Sequence, residues 1–172
     1  MISRSTRRFL VPAVAVVLSL GLVACDGDDD SITSVTPPPE AAGPYALQWT
    51  LQVLRKSDGF QTAFTCYGQM TLVQGTASAS VAPLSGFTVV SSGCAPESYD
   101  LNGSIGSGGA IEFNTNGPKP PEGPCPGGKN VHFTGQLTTS GSSNTVSARG
   151  VTTVTCPQYG EHEFTYLISA VR

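Results

Sequence analysis

Tyr45-Ala-Leu47-Gln-Trp49-Thr-Leu51-Gln-Val53 alternates apolar and polar residues over nine positions without a break, the period of a β-strand with one buried face and one wet face. The pattern recurs down the chain. Past a turn at Lys56-Ser57-Asp58-Gly59, Phe64, Met70 and Leu72 share one face of the stretch 64–74. Residues 76–92 read as one bent or bulged strand, because Pro83 and Gly86 interrupt them and proline is tolerated at an edge or a barrel rim. Tyr99, Leu101 and Ile105 alternate again, Gly108-Gly109 makes a tight turn, and Ile111-Glu112-Phe113 returns. Asn114 to Lys129 is a loop with five prolines and four glycines. Three further strands are expected at 131–138, 144–154 and 163–171. Their inward residues are Val131, Phe133, Leu137, Val146, Ala148, Val154, Phe164, Tyr166 and Ile168. No helix is expected in this region, so the fold class is all-β.

Eight sequential strands joined mainly by short turns predict an antiparallel meander, and closure into an up-and-down barrel removes its edge strands. A two-sheet sandwich is the alternative reading of the same pattern. Gly68-Gln69-Met70-Thr71 and Gly135-Gln136-Leu137-Thr138 each open a hairpin, a faint internal echo. Taken together, Tyr45 to Arg172 resembles the lipocalin-like and avidin-like small barrels that occur as lipoprotein domains in bacteria. Trp49 stands on the first strand, as the lipocalin tryptophan does, without that family's Gly-x-Trp spacing.

The N-terminus carries an address. Arg4, Arg7 and Arg8 precede an apolar run from Phe9 to Leu22, which reads as a secretory signal. The run is about 14 residues long and contains Pro12 and Gly21, well short of the roughly 20 apolar residues of a membrane-spanning helix. Leu22-Val23-Ala24-Cys25 resembles the bacterial lipobox. That resemblance implies cleavage between Ala24 and Cys25, acylation of Cys25, and a lipid-anchored protein of the cell envelope at the periplasmic face or the cell surface.

Residues 25–43 are Asp-rich, then Ser/Thr-rich, then carry Pro37-Pro38-Pro39, with no hydrophobic periodicity. They read as a disordered tether, which leaves 44–172 as a single barrel-like domain. Removal of residues 1–24 takes away three of the nine basic residues and none of the twelve acidic ones. Such an acidic chain is a poor partner for nucleic acid. Asp26, Asp28, Asp29 and Asp30 lack the regular spacing and distant glutamate of an EF-hand loop.

With Cys25 assigned to lipid, Cys66, Cys94, Cys125 and Cys156 remain, and four cysteines allow three pairings. In a meander, every connection that follows an odd strand lies at the same end. All four cysteines fall at that end. Antiparallel pairing sets the start of strand two beside the end of strand three, and the start of six beside the end of seven. Disulfides Cys66–Cys94 and Cys125–Cys156 follow. Zinc is disfavoured, since no Cys-x-x-Cys or histidine cluster accompanies these residues.

Catalysis finds no constellation. His132 lies between inward Val131 and Phe133 and faces solvent, whereas His162 shares parity with Phe164 and points toward the barrel mouth. Strand alternation sends Glu161 and Glu163 to one face and His162 to the other. We therefore expect no catalytic residues, no metal and no cofactor. Tyr45, Trp49, Phe133 and Tyr166 are the candidate contacts for a small apolar ligand inside or at the rim of the barrel. The alternative is a structural or protein-interaction lipoprotein with a filled barrel, using its outer faces or the Pro-rich loop.

Overall fold

The computed structural model describes residues 35–172; the signal segment, Ala24 and Cys25 lie outside the described residues. Eight strands form in chain order: β1 (Gly43–Arg55), β2 (Gln61–Gln74), β3 (Val81–Ser92), β4 (Glu97–Gly106), β5 (Ala110–Thr115), β6 (Val131–Ser140), β7 (Ser143–Cys156) and β8 (Gly160–Val171). Each pairs antiparallel with the next, and β8 pairs with β1 from Ala46↔Val171 to Arg55↔His162, which closes the sheet into a barrel. The meander is confirmed and the sandwich is excluded. Closure gives each of the eight described strands a neighbour on both sides, so none is an edge strand of the sheet.

Parity decides what lies inside. In β1 the buried positions are Tyr45, Leu47, Trp49, Leu51 and Val53, while Ala46, Gln48 and Gln52 between them are exposed. The inward residues expected from the sequence in β6, β7 and β8 are all buried, and in β2 Met70 and Leu72 are buried while Phe64 is half-buried. Around Trp49 the core is aromatic. Trp49 meets Phe133 and Tyr166 edge-on at 5.4 and 5.9 Å between ring centroids, and Phe113 stacks on Phe133 at 5.1 Å. An eight-stranded barrel is just wide enough for side chains to fill it, and here they do.

β3 starts later than the sequence pattern suggests, at Val81, because residues 75–80 form a turn held by the Ser78↔Val81 bridge. Its irregularity has two parts. The β2 ladder slips between Tyr67↔Ser92 and Gly68↔Val90, which leaves Ser91 as the extra residue of a bulge. Pro83 lies just beyond the last β2 pair, Gln74↔Leu84; its carbonyl still accepts the Gly75 N–H at 2.9 Å, and its missing N–H ends the ladder there.

Both mouths are covered. The chain enters at the end opposite the cysteines, and the last residues read as tether belong to the folded unit instead. Ala41 is fully buried, accepts the Tyr45 hydroxyl through its carbonyl at 2.8 Å, and donates its N–H to Gln74 Oε1 at 2.7 Å. The Asn144 side chain donates to the Glu40 carbonyl at 3.0 Å, and Arg172 donates to that of Ala42. A plug that crosses a mouth follows no ladder, so it carries no periodic signal.

At the cysteine end the Pro-rich loop, residues 116–130, lies over the opening, with Gly117, Pro118, Pro120 and Gly128 buried. Tyr166 anchors it from below. The Gly128 N–H donates to the Tyr166 hydroxyl at 2.8 Å, and that hydroxyl donates to the Pro118 carbonyl at 3.3 Å. Gly117 lies flat on the Tyr166 ring, where a β-carbon would overlap it.

Candidate functional site

The disulfides Cys66–Cys94 and Cys125–Cys156 are both present, with Cα separations of 5.2 and 4.4 Å. They do different work. Cys66–Cys94 joins β2 to the connection after β3, elements already held by a ladder. Cys125–Cys156 ties the Pro-rich loop, which has no strand partner at that point, to the end of β7.

Beside this second disulfide the rim opens into a cleft of about 150 Å³ lined by Arg55, Phe60, Phe64, Pro124, Tyr159 and His162, among others. Its walls come from three places. The β1–β2 turn is set by Arg55 N–H donating to the Phe60 carbonyl at 2.8 Å and Gly59 N–H donating to the Arg55 carbonyl at 3.0 Å, with Gly59 at φ +73°. This turn delivers Phe60 to the rim. The Arg55 guanidinium then lies between two rings, with its carbon 5.1 Å from the Phe60 centroid and 5.5 Å from that of Tyr159. Asp58 pairs with one terminal nitrogen of Arg55 at 3.0 Å, while Nε is buried with no hydrogen-bond partner in the protein. Lys56 and Glu161, 2.7 Å apart, bridge the turn to β8 on the exposed surface, where such a pair adds little stability.

The four residues expected to contact a ligand are all buried. Trp49, Phe133 and Tyr166 form one cluster, whereas Tyr45 sits at the opposite mouth under Arg172, whose guanidinium carbon is 5.4 Å from its ring. The rim cleft has none of the four in its walls, nor do four further clefts on the described residues. One of these, about 450 Å³, runs over outward positions such as Gln52, Ala63, Glu163 and Thr165. Those polar strand faces show no convergent set of groups.

His132 is exposed on β6 and His162 is buried at the mouth, facing opposite sides of the sheet. The rim itself carries no alternation in the sequence. Phe60 and Tyr159 fall inside turns, where large exposed aromatics are unusual, and that was the available signal.

Burial also sets the chemistry of three of the five tyrosines. Desolvation pushes the Tyr166 hydroxyl above its ordinary range, with the Gly128 N–H opposing it. Tyr99 is raised by burial first and then by its hydrogen bond to Glu97, and Tyr45 is raised by burial against the pull of Arg172. A phenol whose folded value exceeds its unfolded value stabilises the fold below the unfolded value, about pH 10, and loses that contribution as pH rises through the folded value. We expect these tyrosines to leave the unfolding free energy unchanged up to about pH 10 and to lower it above that, as followed by urea melts from about pH 9 upward.

The geometry defines a closed, side-chain-filled β-barrel with one apolar, disulfide-floored cleft at its rim. The chain matches no protein-family model, no curated protein and no solved structure.

Proposed function

We propose that this chain is an exported bacterial lipoprotein, anchored through acylated Cys25, that acts by binding and not by catalysis, and that its binding site is the rim cleft and not the barrel interior. The observation that carries this reading is the contrast between a core packed with aromatic side chains and a rim that leaves Phe60 and Tyr159 exposed around Arg55. A cleft of about 150 Å³ lies below the size of pockets that enclose whole drug-sized ligands. It suits a ring or one apolar end of a longer amphipathic molecule. The unpartnered Nε of Arg55 favours an occupant that also brings a hydrogen-bond acceptor.

A second reading, a protein-contact lipoprotein with a filled barrel, draws on one feature. Tyr67, Val73, Phe87 and Val89 are all exposed on the outer face of β2 and β3, an apolar stripe on a surface otherwise polar at β1. Photoreactive residues placed singly at Phe60, Phe87 and Gln48 in intact cells would separate the readings. The rim reading expects a small-molecule adduct at position 60 and none at 48. A protein adduct at 87 with nothing at 60 would establish the second reading, and no adduct at either would count against both.

A further inference from the structure

Folding brings His162 against the second disulfide. One imidazole nitrogen and the sulfurs of Cys125 and Cys156 all lie within 4.8 Å of one another, although β6 and β7 separate Cys125 from His162 in the chain. The other disulfide has no such neighbour among the described residues. We propose that, when Cys125–Cys156 is reduced, its two thiols and His162 form a three-ligand site for a thiophilic divalent cation such as Zn²⁺.

The imidazole is held through its Nδ1 side. Its Nδ1 lies 3.0 Å from the Gly160 carbonyl oxygen; a carbonyl only accepts, so this contact selects the neutral tautomer with the proton on Nδ1 and the lone pair on Nε2. Metal-binding histidines are oriented by this same arrangement, in which the other ring nitrogen donates to a backbone carbonyl or carboxylate. Phe164 packs edge-on against the ring at 6.5 Å, which fixes its plane.

The spacing suits the metal. Zinc bonds of about 2.3 Å to sulfur and about 2.0 Å to nitrogen place tetrahedral ligand atoms somewhat under 4 Å apart. The sulfurs must separate on reduction, and Cys125 is the mobile partner because its loop has no ladder there. It is also half-buried and lines the rim cleft together with His162, so a reductant and a cation have a way in. Cys66 and Cys94, by contrast, are buried beside paired strands. The cleft leaves the fourth coordination position to water.

The chemistry balances with a dithiol as reductant. The dithiol gives two electrons and two protons to the disulfide and becomes a disulfide itself. Zn²⁺ then replaces both thiol protons, forming two Zn–S bonds and releasing two protons to solvent.

The test uses Co²⁺ and Zn²⁺ on the folded protein before and after reduction, with anaerobic absorption and far-ultraviolet circular dichroism. The reduced barrel is expected to take up one Co²⁺ with sulfur-to-cobalt charge-transfer absorption, which Zn²⁺ displaces, whereas the oxidised protein shows none. His162→Ala should weaken uptake at least tenfold, in keeping with the losses seen even for outer-shell changes. His162→Cys should restore it, which separates ligation from folding. Equal binding by the oxidised protein or by His162→Ala would overturn the proposal. So would a reduced barrel that takes up no metal, or uptake only after the β-spectrum is lost.

Discussion

Trp49→Ala is expected to lower the unfolding free energy by roughly 3–5 kcal/mol, a large share of the 5–15 kcal/mol that holds a domain folded. Trp49 is fully buried at the centre of the barrel and touches Phe133 and Tyr166 edge-on. Alanine leaves a hole between β1, β6 and β8 that closed strands cannot collapse to fill, because every backbone is pinned on both sides. Trp49→Phe should behave very differently. The indole Nε1 is buried with no hydrogen-bond partner in the protein, a burden of about 1–3 kcal/mol that phenylalanine removes while keeping most of the packing. The two effects oppose, so the loss for phenylalanine should stay near 1 kcal/mol. Urea midpoints for the pair measure the difference; similar large losses in both would mean that the indole N–H is satisfied.

The second large effect concerns Cys125–Cys156. Replacing both cysteines with alanine removes a closure over a sequence separation of 31, worth about 3.5 kcal/mol in the chain-entropy treatment. Cys66→Ala with Cys94→Ala removes a separation of 28, and the same logarithmic dependence makes the global losses nearly equal. The local consequences diverge. Without Cys66–Cys94, the β2–β3 ladder still holds both segments. Without Cys125–Cys156, the Pro-rich loop is held near Pro118 and Gly128 by its bonds to Tyr166 and near Asn130 by the Asn116 side chain, and the exposed stretch after buried Pro120 loses its covalent tie. Limited proteolysis should cut within 119–127 in the second variant only. Cutting at equal rates in both would show that the disulfide does not hold the lid.

Parity made most of the barrel legible. Once Tyr45 to Val53 reads as a strand with one buried face, each later run with the same alternation places its own inward residues, and the cysteine pairing follows because odd-strand connections share an end. Closure was an inference from edge avoidance, and the β8–β1 ladder bears it out. Three features escaped because they have no period. The Glu40–Ala42 plug binds through backbone carbonyls and the N–H of Ala41, groups that every residue type carries. The rim cleft is assembled from turn residues that meet only after folding, so Arg55, Phe60 and Tyr159 give no local motif. Parity places His162 at the mouth, yet its contact with Cys125 and Cys156 depends on where a proline-rich loop settles, which alternation does not reach.

Whether ligands are excluded from the core, and whether the domain is held at a membrane, can be read in one experiment. Native mass spectrometry of the protein extracted in mild detergent from its own membrane reports the mature N-terminus, its acyl groups, both disulfides and any bound guest together. The expected mass is that of a chain beginning at Cys25 and carrying lipid, with any guest leaving under gentle activation while the barrel stays folded. A chain that retains residues 1–24, an unmodified Cys25, or a guest released only when the barrel unfolds would contradict it.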